Sequence, residues 1–128
     1  MNKLIIDAAK DKIFLMIIDN NTNYSITHEN TKINFEKLTL LINEFLSKKK
    51  LDLKKISEIY VNRGPGSFAG IRNSLSIVKA FHLANKIDYY GFSFDDFSKK
   101  SDVKYENIPK LCKKLKVKKN LIKPIYLS

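Results

Sequence analysis

Two apolar runs open the chain. Lys3 to Asp7 is short and ends on an acid, whereas Ile13 to Ile18 is continuous rather than alternating, as strands buried on both faces are. Asp19-Asn20-Asn21-Thr22-Asn23 is a dense turn cluster, after which Tyr24 to Thr27 returns as a third strand. These segments predict an N-terminal β-meander. Phe35, Leu38, Leu41, Ile42, Phe45 and Leu46 then recur at helical spacing, with Lys37, Asn43, Glu44 and Lys48 elsewhere around the wheel. The pattern predicts one helix from about Phe35 to Lys49, with Asn34 as its N-cap and Lys48-Lys49-Lys50 complementing its dipole. After the connector Leu51 to Lys55, Ile56 to Val61 reads as a strand and Gly70 to Asn85 as a second helix. That helix carries Ile71, Leu75, Val78 and Leu83, and Ile77, Ala80, Phe81 and Ala84 widen its apolar arc beyond what one side of a sheet needs. Either the helix is sandwiched or part of it meets a partner. Ile87 to Phe92 is a strand closing the αβ unit, and Ser93 caps a short helix around Phe94 to Lys99. Residues 99–123 hold ten lysines against Asp102 and Glu106, with Leu111, Leu115 and Val117 allowing a short amphipathic helix.

The strand-to-helix junction is where the special residues gather. Three of the four glycines and one of the three prolines lie between Arg63 and Gly70. Glycines clustered there make a tight turn with N–H groups that suit an anion or a carbonyl partner. Neither common nucleotide motif fits. Gly70 is followed by Ile71 rather than the lysine of a phosphate-binding P-loop, and Gly64, Gly66 and Gly70 are spaced one residue too widely for the dinucleotide fingerprint. Spacing alone reads as a structural turn that packs a helix on a sheet.

The 128 residues suit one small domain, and 44% hydrophobic content supplies a core. No run reaches 18 apolar residues, so no membrane span is expected, and the N-terminal apolar segment is broken too soon by Asp7, Lys10 and Asp11 for a secretory signal. A lone Cys112 excludes an internal disulfide and a cysteine metal site and fits a reducing cytoplasm. His28 and His82 each lack a second ligand at useful spacing. Ser67 is not in a nucleophile elbow and reads as a helix N-cap. No catalytic set, metal or cofactor is expected. The net charge of +11 invites a nucleic-acid partner, although lysine supplies nearly all of it, Arg63 and Arg72 are the only arginines, and an AT-rich genome gives the same composition.

The wording of the turn adds more than its spacing. Arg63-Gly64-Pro65-Gly66-Ser67-Phe68-Ala69-Gly70-Ile71-Arg72 resembles the GRGPGSFTGLR signature of the YeaZ/TsaB family, differing in that core at Ala69 and Ile71. The stretch from Leu51 resembles the family's approach to the signature, Gly91 and Ser93 match its Gly-Val-Ser-Ser-Leu, and Pro124-Ile125-Tyr126-Leu127-Ser128 resembles its Pro-Val-Tyr-Leu-Arg. The resemblance implies an α/β fold: one actin-like ATPase-type (ribonuclease H-like) lobe, a mixed sheet with an N-terminal meander and helices packed on it. It divides the chain into that lobe at 1–98 and a basic connector with a terminal motif at 99–128, the body of the second lobe being absent.

The function it implies is that of a non-catalytic cytoplasmic subunit. Such a subunit partners the TsaD/YgjD protein and, through the complex, the TsaE ATPase in threonylcarbamoylation of adenosine 37 of tRNA. The two helices would pack on TsaD or on a second protomer. The residues expected to do so are Leu38, Leu41, Ile42 and Phe45 on the first and Ile71, Leu75, Val78 and Phe81 on the second. Asp7 stands where the family reads Asp-Thr-Ser, but Ala8 and Ala9 lack the hydroxyls that hold phosphates, and Glu36 alone survives of a His-Ser-Glu that opens the first helix. Two other functions compete: a phosphate- or nucleotide-handling enzyme using Asp7 and the glycine turn, and a tRNA-binding module using the lysine tail.

Overall fold

The computed structural model describes residues 2–20, 22–97 and 103–126. The elements are β1 Asn2–Asp7, β2 Lys12–Asp19, β3 Thr22–Glu29, α1 Lys32–Glu36, α2 Leu38–Lys48, β4 Ile56–Asn62, α3 Phe68–Asn85, β5 Asp88–Phe92 and α4 Ile108–Lys114. They form one five-stranded sheet in the order β3-β2-β1-β4-β5. The meander pairs antiparallel, Leu4 opposite Ile17 and Leu15 opposite Ile26. β4 then adds parallel to β1, Ile6 opposite Val61, and β5 parallel to β4, Val61 opposite Gly91. Parallel neighbours require crossovers, which α1–α2 and α3 supply.

The single helix expected over residues 35–49 is two. The backbone leaves helical geometry at Lys37, so α1 and α2 meet there at an angle. The first turn also begins earlier than the apolar spacing suggests, because the Thr31 hydroxyl accepts from the Asn34 N–H at 3.1 Å and is the N-cap. Asn34, expected in that role, instead donates its side-chain amide to the Glu29 carbonyl at 2.8 Å. α2 ends as a Schellman motif: Lys50 is left-handed (φ 56°) and Leu51 N–H reaches the Leu46 carbonyl at 2.9 Å.

Because side chains alternate across a strand, the sheet feeds two cores. Leu4, Ile6, Leu15, Ile17, Ile59 and Val61 pack under α1–α3. Ile5, Met16 and Tyr60 point the other way, against Phe92, Phe97, Ile108 and Cys112. The described part of the lysine-rich segment folds onto this sheet: residues 103–117 cover its second face, and Asn120 and Ile122 pass along β5. Nor does its helix use the expected residues. α4 buries Ile108, Pro109 and Cys112, stops at Lys114, and leaves Leu115 exposed. Lys116 is left-handed (φ 55°) and Val117 N–H bonds the Cys112 carbonyl at 3.0 Å, which turns the chain before another helical turn can form. Asn120 then closes the edge of β5, its N–H donating to the Tyr89 carbonyl at 2.7 Å and its side-chain oxygen accepting from Tyr89 N–H at 2.9 Å. One residue thus blunts an edge that would otherwise offer a strand template.

After β5, Ser93 caps as expected, but the described helix is one short 3-10 turn, Phe94–Asp96. The rest of the helix expected as far as Lys99 lies outside the described residues.

Candidate functional site

The signature residues do come together, and they bind the chain to itself. Gly64 has φ +112°, and a Cβ there would lie 2.0 Å from the Ile125 carbonyl oxygen. A Cβ on Gly66 would lie 2.2 Å from the Ala9 oxygen, and one on Gly70 would lie 1.8 Å from the Ala8 oxygen. The turn after β4 is therefore pressed, backbone on backbone, against the turn after β1. Ser67 N–H donates to the Ala9 carbonyl at 3.0 Å, and Gly64 N–H to the buried Asn62 side-chain oxygen at 2.8 Å. The Ser67 N–H is thereby spent on a carbonyl partner. Ser67 is the N-cap of α3, its hydroxyl accepting from Gly70 N–H at 3.2 Å.

Arg63 fastens this turn to the rest of the chain. One guanidinium nitrogen lies 2.9 Å from both carboxylate oxygens of Asp96, and another donates to the Lys123 carbonyl at 3.2 Å. Its main chain bonds Phe92 through N–H at 2.8 Å and accepts from Ile125 N–H at 2.7 Å. Phe68 and Arg72 stand at the rim. The Phe68 ring meets Tyr126 at 4.8 Å between centroids, and the Arg72 guanidinium lies 5.9 Å from the Phe68 ring centre. Pro65 is half-buried between Gly64 and Gly66.

Asp7 is almost fully buried, and both its oxygens are engaged. Oδ1 accepts from Ala9 N–H at 3.1 Å, which closes the turn, and Oδ2 accepts from the Tyr105 hydroxyl at 2.5 Å. Burial, and then the Asp7 charge, raise the Tyr105 hydroxyl well above the ordinary tyrosine range, so Tyr105 remains a donor. Its ring stacks on Phe14 at 4.0 Å. Asp7 thus works as a strand-end cap that also ties the second-face strap to β1.

The eight residues expected to line a partner interface all face inward. Leu38, Ile42 and Phe45, like Ile71, Leu75, Val78 and Phe81, are buried in the core between α2–α3 and the sheet, and Leu41 is buried as well. The apolar periodicity marked the helix faces that meet the sheet, and what a partner could touch lies on the opposite faces. There Ala69, Asn73, Ser76, Ala80 and Leu83 follow α3 in alternating steps of four and three, and only Asn73 is half-buried. Ile33 of α1, Leu40 of α2 and Leu83 are 61%, 51% and 82% exposed, high values for large aliphatic side chains.

The remaining reactive groups have structural settings. His82 Nδ1 lies 3.0 Å from the Ile87 carbonyl, with its ring edge-on to Tyr89. Burial, and then Asp96, push the Cys112 thiol up to about 12, so it is protonated at neutral pH. Among the described residues no three His, Cys, Asp or Glu side chains are placed to hold a metal ion.

The family model described as "TsaD: tRNA N6-adenosine threonylcarbamoyltransferase" matches residues 28–94, just over half of the chain. The chain belongs to that family. Its relatives place it on the TsaB (YeaZ) side, as the signature implies. A tRNA threonylcarbamoyladenosine biosynthesis protein TsaB of Buchnera aphidicola subsp. Schizaphis graminum is 30% identical over 90 residues, covering 70% of this chain and 43% of that one. The TsaB of subsp. Baizongia pistaciae is 34% identical over 68 residues, covering 46% and 31%. Among solved structures, YeaZ from Pseudomonas aeruginosa superposes with a TM-score of 0.66 at 18% identity, over 72% of this chain and 43% of that one. The match thus spans less than half the length of these TsaB and YeaZ proteins. The shared fold is the actin-like, ribonuclease H-like lobe, and the matched part is one such lobe.

Some members of this site left no mark in the sequence pattern. Asp96 and Tyr105 are polar partners reached across 33 and 98 residues.

Proposed function

We propose that this TsaB-family chain is a scaffold subunit in the formation of N6-threonylcarbamoyladenosine in tRNA, docking a TsaD-type catalytic subunit without performing chemistry itself. The process is inferred from the family match and from the names its TsaB relatives carry. The observation that carries the docking role is the outer surface of the helical layer. Small residues along α3 let another helix approach closely, and Leu40, Ile33 and Leu83 add apolar area that water does not favour. The same surface offers a second copy of the chain a self-complementary contact, so a homodimer competes with the catalytic partner. A TsaE-type ATPase joins through the complex.

The non-catalytic assignment draws on the site's own geometry. Asp7 spends both oxygens on structural donors, and the Ala8-Ala9 turn is covered by Gly66 and Gly70. A nucleotide phosphate could not displace that packing without opening the sheet-to-helix joint.

Co-purification with the TsaD-type protein of the same organism tests this reading. The unaltered chain is expected to elute with it on size exclusion. Ala80→Glu/Leu83→Glu, which changes only exposed positions, is expected to separate the two while the variant still folds. A complex that survives this variant unchanged counts against docking through α3. Leu75→Glu is unsuited to the test, because Leu75 is buried and its loss would unfold the layer.

A further inference from the structure

A dense run of lysines lies away from the helical layer. Residues 103–126 carry eight lysines against one glutamate. Folded over the second face of the sheet, residues 103–117 bring Lys110, Lys113 and Lys116 beside Lys3 of β1 around one cleft of about 380 Å3. Tyr60 and Tyr90 line it too, stacked at 5.0 Å between centroids with planes 13° apart, and the Tyr90 ring is half-buried. Glu58 is the one carboxylate lining this cleft, and it is already occupied, accepting from the Tyr60 hydroxyl at 3.2 Å and pairing with Lys3 at 3.8 Å. Lys110, Lys113 and Lys116 make no ion pair among the described residues. A second cleft of about 270 Å3 shares Lys3 and Lys110 and continues past the side-chain amides of Asn20, Asn23 and Asn107 and the carboxylate of Glu106, which accepts from the Asn23 amide at 3.3 Å.

We infer that this lysine groove is a binding site for an RNA phosphodiester backbone. A small buried anion would need converging, pre-organised donors, and the groove offers the opposite: exposed ammonium groups spread along an open cleft, with amides and an aromatic ring between them. Lysine ammonium groups attract phosphates as point charges and do not read sequence, while an accessible tyrosine ring gives an unpaired base a surface to stack on. The naming of tRNA as the RNA rests on the reading of the chain as a tRNA-modification subunit; the phosphate chemistry does not. The site is a folded groove that includes Lys3, rather than a basic tail acting alone.

Fluorescence anisotropy of the full chain with unmodified tRNA, between about 50 and 200 mM KCl, tests this. Lys110→Glu/Lys113→Glu/Lys116→Glu is expected to weaken binding at least tenfold at the low-salt end. It should also flatten the slope of log K against log salt by about two, the loss due to three phosphate contacts. The same charge change on the helical layer, Lys32→Glu/Lys37→Glu/Lys48→Glu, should leave affinity within about twofold. A glutamine set at 110, 113 and 116, which adds no repulsion, should give the same flattening with a smaller loss. The inference is overturned if both reversal variants lose affinity equally, if the groove variants bind like the unaltered chain, or if polyglutamate displaces tRNA at equal charge concentration. Since the catalytic-partner complex is measured without tRNA, either proposal can fail while the other stands.

Discussion

The two faces of the sheet are made from the same strands and differ in almost everything laid on them. One face takes Leu4, Ile6, Leu15 and Ile17 and is closed by the 18-residue α3 with α1 and α2 beside it. The other takes Ile5 and Met16 with aromatic rings from Phe14, Tyr60, Tyr90 and Phe92, and is closed by a 7-residue helix and turns that carry the lysines. The helical face packs aliphatic side chains with Phe35, Phe45 and Phe81 inside, and between its charged side chains it exposes small and aliphatic residues along α3, which suits a protein surface. The lysine face keeps clefts between its cover and the strands, which suits a charged ligand. Strand alternation thus gives the lobe two separate covers, one for each of the proposed partners.

The glycine turn belongs to the helical face, and the strongest test of the comparison is there. Gly70→Ala puts a methyl group 1.8 Å from the Ala8 oxygen, where backbone and not a flexible side chain must move. It is expected to cost about 3 kcal/mol in urea unfolding, or to prevent folding. A loss within 0.5 kcal/mol would show that the two turns are not the rigid joint described above.

Tyr105→Phe probes how the second face is fastened to the first. It removes the hydroxyl that donates to the buried Asp7 carboxylate, leaving that oxygen without its partner. The expected loss is about 2 kcal/mol, less than for Gly70→Ala. The reverse ranking would mean that the Asp7 tie, and not the glycine contact, holds the lobe together.

The mildest perturbation is a change of pH, which alters no residue, and it sharpens the contrast by belonging to the second face alone. The Cys112 thiol is raised from its ordinary value of 9.0 to about 12 by burial. Below 9 both folded and unfolded chains keep the proton. Above it the unfolded chain loses the proton while the folded one keeps it, so stability is expected to fall as pH rises from about 9 towards 12. Urea midpoints across that range should decline less in Cys112→Ala, which also fixes the baseline set by the raised Tyr60 and Tyr105 hydroxyls on the same face. Equal decline in both chains would remove the thiol from the account.

Much of this architecture was legible in the sequence. The two continuous apolar runs, the αβ unit and the Ser67 cap follow from periodicity and local chemistry, and the glycine signature indicated the family. What periodicity could not supply was direction. Apolar spacing at Leu38, Ile42, Leu75 and Val78 marks the face that is buried, so it names the core and never the interface outside it. The break at Lys37 was hidden because the apolar pattern continues across it. Arg63 with Asp96, Asp7 with Tyr105, and Asn120 with Tyr89 are contacts between distant segments, and such contacts leave no repeat for a sequence to show. The lysine segment was legible as charge but not as a cover for the sheet, since Ile108, Pro109 and Cys112 make no helical stripe long enough to stand out.

The most direct test of the two-faced account is isothermal titration of the chain into the proposed TsaD-type partner, for the unaltered protein and one variant of each face. The account predicts that Ala80→Glu/Leu83→Glu abolishes the heat of binding, and that Lys110→Glu/Lys113→Glu/Lys116→Glu binds as the unaltered chain does. Equal losses in both variants, or no binding by the unaltered chain when both proteins are folded, would contradict it.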